Sequence, residues 1–284
     1  MPKRQMPKKR MGIFLIAFVS IALSLPILSA GRPETNDPVC VGQRMAFSSR
    51  ILEKEKTLYV SLPEGYADSN GRYPVLYTFY NGDAGFLHTT GVARLLTDLG
   101  LAPGLIVVSV PVDGMRDLTP TRAAAYGPTS GGADAFLRFL REELLPFIDR
   151  EFRTEPRRLV WSHSIGGTLV VYALLSAPDL FQVHLTSSPF FIYDGGDRFL
   201  LRNAARLLKR RKDEKNYLYV AVGNEPDLKP TIDEFVRILG DTKPPGLVWD
   251  YVQMDKEDHS SILARSLTEG LRACFAREGF AGRR

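Results

Sequence analysis

The chain has 284 residues, 44% hydrophobic and 24% charged, with a formal net charge of +5. That length and apolar content suit one large α/β domain with a well-buried core and leave no room for a second full domain. Five of the cations and no acids fall in residues 1–30, so residues 31–284 balance at zero, and no basic face remains to indicate a nucleic-acid partner.

In chain order, Lys3, Arg4, Lys8, Lys9 and Arg10 precede an apolar run from Met11 to Leu28 that ends in Leu28-Ser29-Ala30. A basic start, an apolar stretch and a small-residue cleavage site read as a signal peptide over residues 1–30. The expectation is export, to the periplasm or the medium. The run is nearly long enough to span a bilayer, so an uncleaved N-terminal anchor is the alternative, and only then would the protein contact a membrane. Residues 31–43 read as a leader and 44–284 as the folded domain. Cys40 and Cys274 are the two cysteines, and an exported protein could pair them.

Arg44–Ser49 and Lys56–Leu62 read as a leading antiparallel pair of strands. Val75–Tyr80 and Leu105–Val110 are buried strands with a helical stretch at Val92–Leu99 between them. Gly131–Glu151 carries a helical apolar face of Phe136, Leu137, Leu140, Leu144 and Leu145 and meets Pro146 near its end. Further strands are expected at Val183–Ser188, Tyr217–Val222 and Leu247–Met254, with helices at Arg198–Lys212, Thr231–Leu239 and after His259. This alternation predicts a mostly parallel sheet covered by helices on both faces, with a ligand crevice at the C-terminal ends of the strands.

The most informative stretch is Leu159-Val-Trp-Ser-His-Ser-Ile-Gly-Gly-Thr-Leu-Val-Val-Tyr172, an apolar strand, a tight Ser/Gly turn and a helix. Ser162-His163-Ser164-Ile165-Gly166 is close to G-x-S-x-G, the turn that lifts a serine hydroxyl above a parallel sheet at a helix N-terminus. Small residues two positions either side of Ser164 let strand and helix pass closely; Ser162 stands where glycine is usual. On this reading Ser164 is the nucleophile, and the partners follow in the order acid, then histidine. His259, in the loop after the last strand, is placed to take the Ser164 proton. Asp227 is the favoured acid, from its spacing after Gly223, with Glu225 the alternative. The backbone N–H groups of Ile165 and Asp83 are the expected oxyanion donors.

Pro74-Val-Leu-Tyr77 with Asn81-Gly-Asp83, Arg116-Asp-Leu-Thr-Pro120, Gly131–Leu140, the serine turn, Ser188-Pro189 and Asp258-His259-Ser260 together resemble the esterase D-like "putative esterase" family. That family includes enterobactin esterases, S-formylglutathione hydrolase and mycolyltransferases, and the likeness covers most of residues 44–275. It implies an α/β-hydrolase fold and a serine carboxylic-ester hydrolase acting on a small-molecule ester through Ser164, His259 and a carboxylate, with no metal or organic cofactor. Arg116–Pro120 and Gly131–Leu140 look most like the enterobactin-esterase branch, which implies a catecholate lactone of the siderophore type. Acyl transfer to an acceptor alcohol is the enzymatic alternative, and a catalytically silent binding domain the alternative of another class. Arg116, Arg198 and Arg202, with Phe190, Phe191 and Tyr193, are the expected contacts for an anionic aromatic ester.

Overall fold

The computed structural model describes residues 39–79, 82–212 and 214–277. The expected signal peptide or anchor lies outside the described residues. Among those described, no helix is long and apolar enough to cross a membrane.

The apolar runs hydrogen-bond into one eight-stranded sheet. The leading pair is β1 (Gln43–Ser49) and β2 (Lys54–Ser61), followed by β3 (Tyr73–Thr78), helix α1 (Gly82–Asp98), β4 (Ile106–Ser109) and the short α2 (Met115–Leu118). Next come α3 (Ala133–Phe139), α4 (Leu145–Glu151), β5 (Thr154–His163), α5 (Ile165–Ser176), β6 (Val183–Ser187) and α6 (Phe199–Leu208). The chain closes with β7 (Asn216–Gly223), α7 (Lys229–Thr242), β8 (Leu247–Met254) and α8 (Ile262–Arg277). The spatial order is β1-β2-β4-β3-β5-β6-β7-β8. β1, β2 and β4 pair antiparallel in succession, and β4 through β8 are parallel.

Strand alternation sorts the core into two layers. Tyr77, Val160, Leu218 and Val220 face one cluster with residues of α3 to α7. Leu76, Leu159, Trp161, Leu185 and Tyr219 face the other with α1 and α8. Helices on both sides are why the central strands are buried throughout rather than on alternate residues. The α/β-hydrolase expectation is met.

Two helical segments depart furthest from the sequence reading. Helix α1 starts at Gly82, ten residues before the expected Val92, because Thr89 and Thr90 join Phe86, Ala93 and Leu96 on its buried face. In the Gly131–Glu151 segment, one wide turn at Leu140–Leu144 separates α3 from α4. Pro146 then falls in the first turn of α4, where its missing N–H costs nothing. Cys40 is exposed and Cys274 buried, and no disulfide joins them in this structure. Arg157 donates to the Cys274 sulfur at 3.0 Å.

One buried ion pair fastens the antiparallel edge to the loop after β4. Lys56, on β2, donates to Asp117 at 3.0 Å and to the Pro111 carbonyl at 2.8 Å. Asp117 also accepts the Asp113 N–H at 2.9 Å. Both side chains are almost fully buried, so losing either partner leaves a charge stranded in the core, a change that typically costs about 3–5 kcal/mol.

His184 lies in the middle of β6, fully buried, with neither ring nitrogen hydrogen-bonded. Burial, helped by the charge of Arg211, pushes its imidazole down to about 3. The unfolded chain binds this proton below about pH 6.5, whereas the folded protein refuses it until far lower pH. The contribution to stability is therefore intact above about pH 6.5 and lost as pH falls through that window, by about 2 kcal/mol at pH 5. His184→Leu is expected to narrow the difference in Tm between pH 7 and pH 5, measured by thermal unfolding of both proteins at each pH.

Candidate active site

Sequence places Ser164 between a buried strand and a buried helix, and the backbone turns there at φ 55°, ψ −125°. An L-residue in that region is strained by about 1–3 kcal/mol and persists only where its surroundings hold it. The holding contacts are close ones. The Ser164 N–H donates to the Ser187 carbonyl of β6 at 3.0 Å. A Cβ on Gly166 would stand 2.0 Å from Ser162 Oγ, and one on Gly167 would stand 2.2 Å from Thr186 Oγ1. Ser162 is accommodated because its hydroxyl donates to the Phe79 carbonyl at 3.2 Å.

His259 brings the site together. Its Nε2 lies 3.0 Å from Ser164 Oγ, and its Nδ1 lies 2.5 Å from Glu225 Oε1. A carboxylate only accepts, so Nδ1 carries the proton and Nε2 presents a lone pair to the serine hydroxyl. The other Glu225 oxygen accepts from Ser188 Oγ at 2.5 Å and the Gly223 N–H at 2.9 Å. Glu225 is buried and satisfied on both oxygens.

Glu225, rather than the favoured Asp227, therefore holds the histidine. β7 ends at Gly223, and an acid two residues on turns back over the sheet edge, with its own carbonyl accepting the Leu228 and Lys229 N–H groups that start α7. Asp227 is already in the turn and exposed. Gly223 is needed for this arrangement: a Cβ there would sit 2.6 Å from the Glu257 carbonyl, which accepts the Asn224 N–H at 2.7 Å. Asp258 fixes the other side of the histidine loop, accepting the Ser260 and Ser261 N–H groups at 2.8 Å each.

His163, inside the serine turn, has a place that its sequence context did not reveal. Its ring lies 4.5 Å from that of His259, centroid to centroid, and its Nδ1 is 2.9 Å from Ser187 Oγ. Burial, with a further push from neighbouring His259, lowers its imidazole to about 4. It is therefore an uncharged wall beside the half-buried His259 near neutral pH.

Ile165 heads α5, where first-turn N–H groups have no partner within the helix, and it borders both cavities described below. Asp83 borders neither of the cavities described below. It lies in the first turn of α1, exposed, and pairs with Arg44 of β1 at 2.9 Å. Residues 80 and 81, between the cavity-lining Phe79 and α1, lie outside the described residues.

Two cavities open at Ser164. One, of about 400 Å³, is bordered by Phe79, Val112, Leu118 and Leu263; the other, of about 620 Å³, by Met115, Phe190, Ile192 and Leu228. Ser164, Ile165 and His259 border both.

The pattern of the family described as "Putative esterase" matches residues 49–238, more than half of the chain. The chain belongs to this family. It is a carboxylic ester hydrolase. Among curated relatives, the ferri-bacillibactin esterase BesA of Bacillus subtilis is 29% identical over 263 residues, 82% of this chain and 89% of that protein. The siderophore triacetylfusarinine C esterase of Aspergillus fumigatus is 27% identical over 261 residues, covering 77% and 88% of the two chains. Among solved structures, an IroE-like serine hydrolase from Shewanella oneidensis superposes with a TM-score of 0.76 at 26% identity, covering 83% of this chain and 80% of that one.

The arginines expected to bind substrate in this esterase are engaged elsewhere or merely nearby. Arg198 pairs with Glu234 of α7, and Arg202 with Asp197; neither borders either cavity. Arg116 is exposed on α2, one residue beyond Met115. Phe191 and Tyr193 are buried in the core, which leaves Phe190 as the aromatic ring of that group on the cavity wall.

The Ser162–Gly166 contact gives a test of the turn. Gly166→Ala is expected to lower Tm and esterase activity together, because the new methyl overlaps a hydroxyl that is itself confined. Ser162→Gly in the same chain removes the obstructing group, so the double variant should recover part of both losses in thermal unfolding and ester-hydrolysis assays.

Proposed function

We propose that this esterase works through Ser164, His259 and Glu225 as nucleophile, base and orienting acid. The observation that carries this reading is the His259 ring, hydrogen-bonded through one nitrogen to Ser164 Oγ at 3.0 Å and through the other to buried Glu225 at 2.5 Å. His259 Nε2 takes the hydroxyl proton as Ser164 Oγ attacks the ester carbonyl, and Glu225 stabilises the imidazolium that forms. The oxyanion accepts the Ile165 N–H. Collapse passes the proton from His259 to the departing alcohol. A water, deprotonated by the same nitrogen, then releases the acid and frees Ser164.

Siderophore esters are the proposed substrates. The support is the agreement between the two curated relatives, named as esterases of ferri-bacillibactin and of triacetylfusarinine C. Export is proposed from the basic-then-apolar first thirty residues; a mature N-terminus near Gly31, found by N-terminal sequencing, is the expected result.

Ser164→Ala is expected to lower kcat by about 10⁴-fold or more on an activated short-chain ester, with the fold retained. Glu225→Gln should lower kcat by about 10²- to 10⁴-fold, since it turns a charge that steadies the imidazolium into a neutral amide. Asp227→Asn should change kcat less than threefold. Equal losses for the two acid variants would remove Glu225 from the mechanism.

A further inference from the structure

Where β6 ends, residues 187–190 close round the serine turn. The Ser187 carbonyl accepts the Ser164 N–H at 3.0 Å, and the Phe190 N–H returns to the Ser164 carbonyl at 3.2 Å. Both backbone groups of Ser164 are thus held by one short stretch of chain. Pro189 lies inside that stretch, its Cα 3.3 Å from where a Cβ on Gly167 would stand, so the segment is packed against the start of α5.

Ser188 is the unusual member of this segment. Its φ is 47°, in the left-handed region that favours glycine. Five non-glycine residues among those described have positive φ, and of these Ser188 alone is buried. Glycine would adopt that conformation without steric cost, so the strain of a serine there points to a task for its side chain. The hydroxyl donates to Glu225 Oε2 at 2.5 Å. The Ser188 N–H donates to the Ala221 carbonyl at 2.8 Å, which fixes the residue to β7, the strand that delivers Glu225.

The second donor to Glu225 Oε2, the Gly223 N–H at 2.9 Å, is only two residues from the acid and belongs to the same loop. Ser188 is the donor that ties the carboxylate to the part of the fold that holds Ser164. It borders neither cavity.

We infer that Ser188 is a positioning residue for the acid, holding Glu225 at a fixed distance from Ser164 by a route that does not pass through His259. The inference rests on the reading of Ser164, His259 and Glu225 as the catalytic groups. With the acid and the nucleophile spaced in advance, the imidazole meets both partners in one orientation. Without the hydroxyl the carboxylate is free to turn about its side-chain bonds, and the His259 ring turns with it, away from Ser164 Oγ. The loss falls on the chemical step rather than on substrate binding.

The test uses the full-length protein and an activated short-chain ester, with kcat and KM determined separately and Tm measured by thermal unfolding. Ser188→Ala removes the hydroxyl and keeps the backbone strain; Ser188→Gly removes both. Each is expected to lower kcat by about tenfold or more while KM stays within about threefold of its starting value. The glycine variant should have the higher Tm of the two but no higher kcat. A double-mutant cycle with Glu225→Ala tests the route: once the carboxylate is gone Ser188 has nothing to hold, so Ser188→Ala should then lower kcat by less than about twofold further. Losses that multiply in full across the cycle, or a kcat that recovers along with Tm in Ser188→Gly, would overturn the inference. Undiminished turnover in Glu225→Ala defeats the triad reading itself, whereas an impaired Glu225→Ala beside fully active Ser188 variants defeats only the role of Ser188.

Discussion

The site depends on how closely the end of β5 and the start of α5 can pass β6. Ser164 occupies a backbone conformation that a free chain would avoid, and its N–H reaches Ser187 across the sheet only because Gly166 and Gly167 carry no side chain where Ser162 and Thr186 already stand. The strain is thus borne by packing that the whole central sheet supplies. It leaves the hydroxyl exposed at the strand ends, with helix N–H groups beneath it.

Everything around that serine is a loop made stiff by a specific close contact. The acid loop and the histidine loop touch backbone to backbone at Gly223 and Glu257, so neither is free to move without the other. Glu225 spends both oxygens on Ser188, Gly223 and His259. His163 adds a neutral ring against the His259 face, where a second cation would oppose the imidazolium formed during turnover.

Much of this was legible in the chain itself. The order of strands and helices, the serine turn and the histidine after the last strand are all set by short-range pattern: runs of apolar residues, glycines at a turn, and the position of one loop histidine among four. What local pattern does not carry is direction. Glu225 and Asp227 differ by two positions and one methylene, and the choice between them depends on Ser188, which follows β6, far away in sequence. The arginines of α6 read as a cationic patch until Glu234 and Asp197 are seen to meet two of them. Asp83 follows the first parallel strand as expected, yet the helix begins at Gly82 and carries it towards Arg44. Helix α1 extends beyond its apolar pattern for a related reason, since threonines count as polar until tertiary contact buries them.

The Lys56–Asp117 pair joins the inner strand of the edge hairpin to the segment that supplies Val112, Gly114, Met115 and Leu118 to the two cavities. That linkage ties the edge hairpin to the wall of the site. Strain introduced at Lys56, on the second strand from the sheet border, passes through Asp117 to α2, so a position that touches neither the serine nor its histidine bears on the walls of the site.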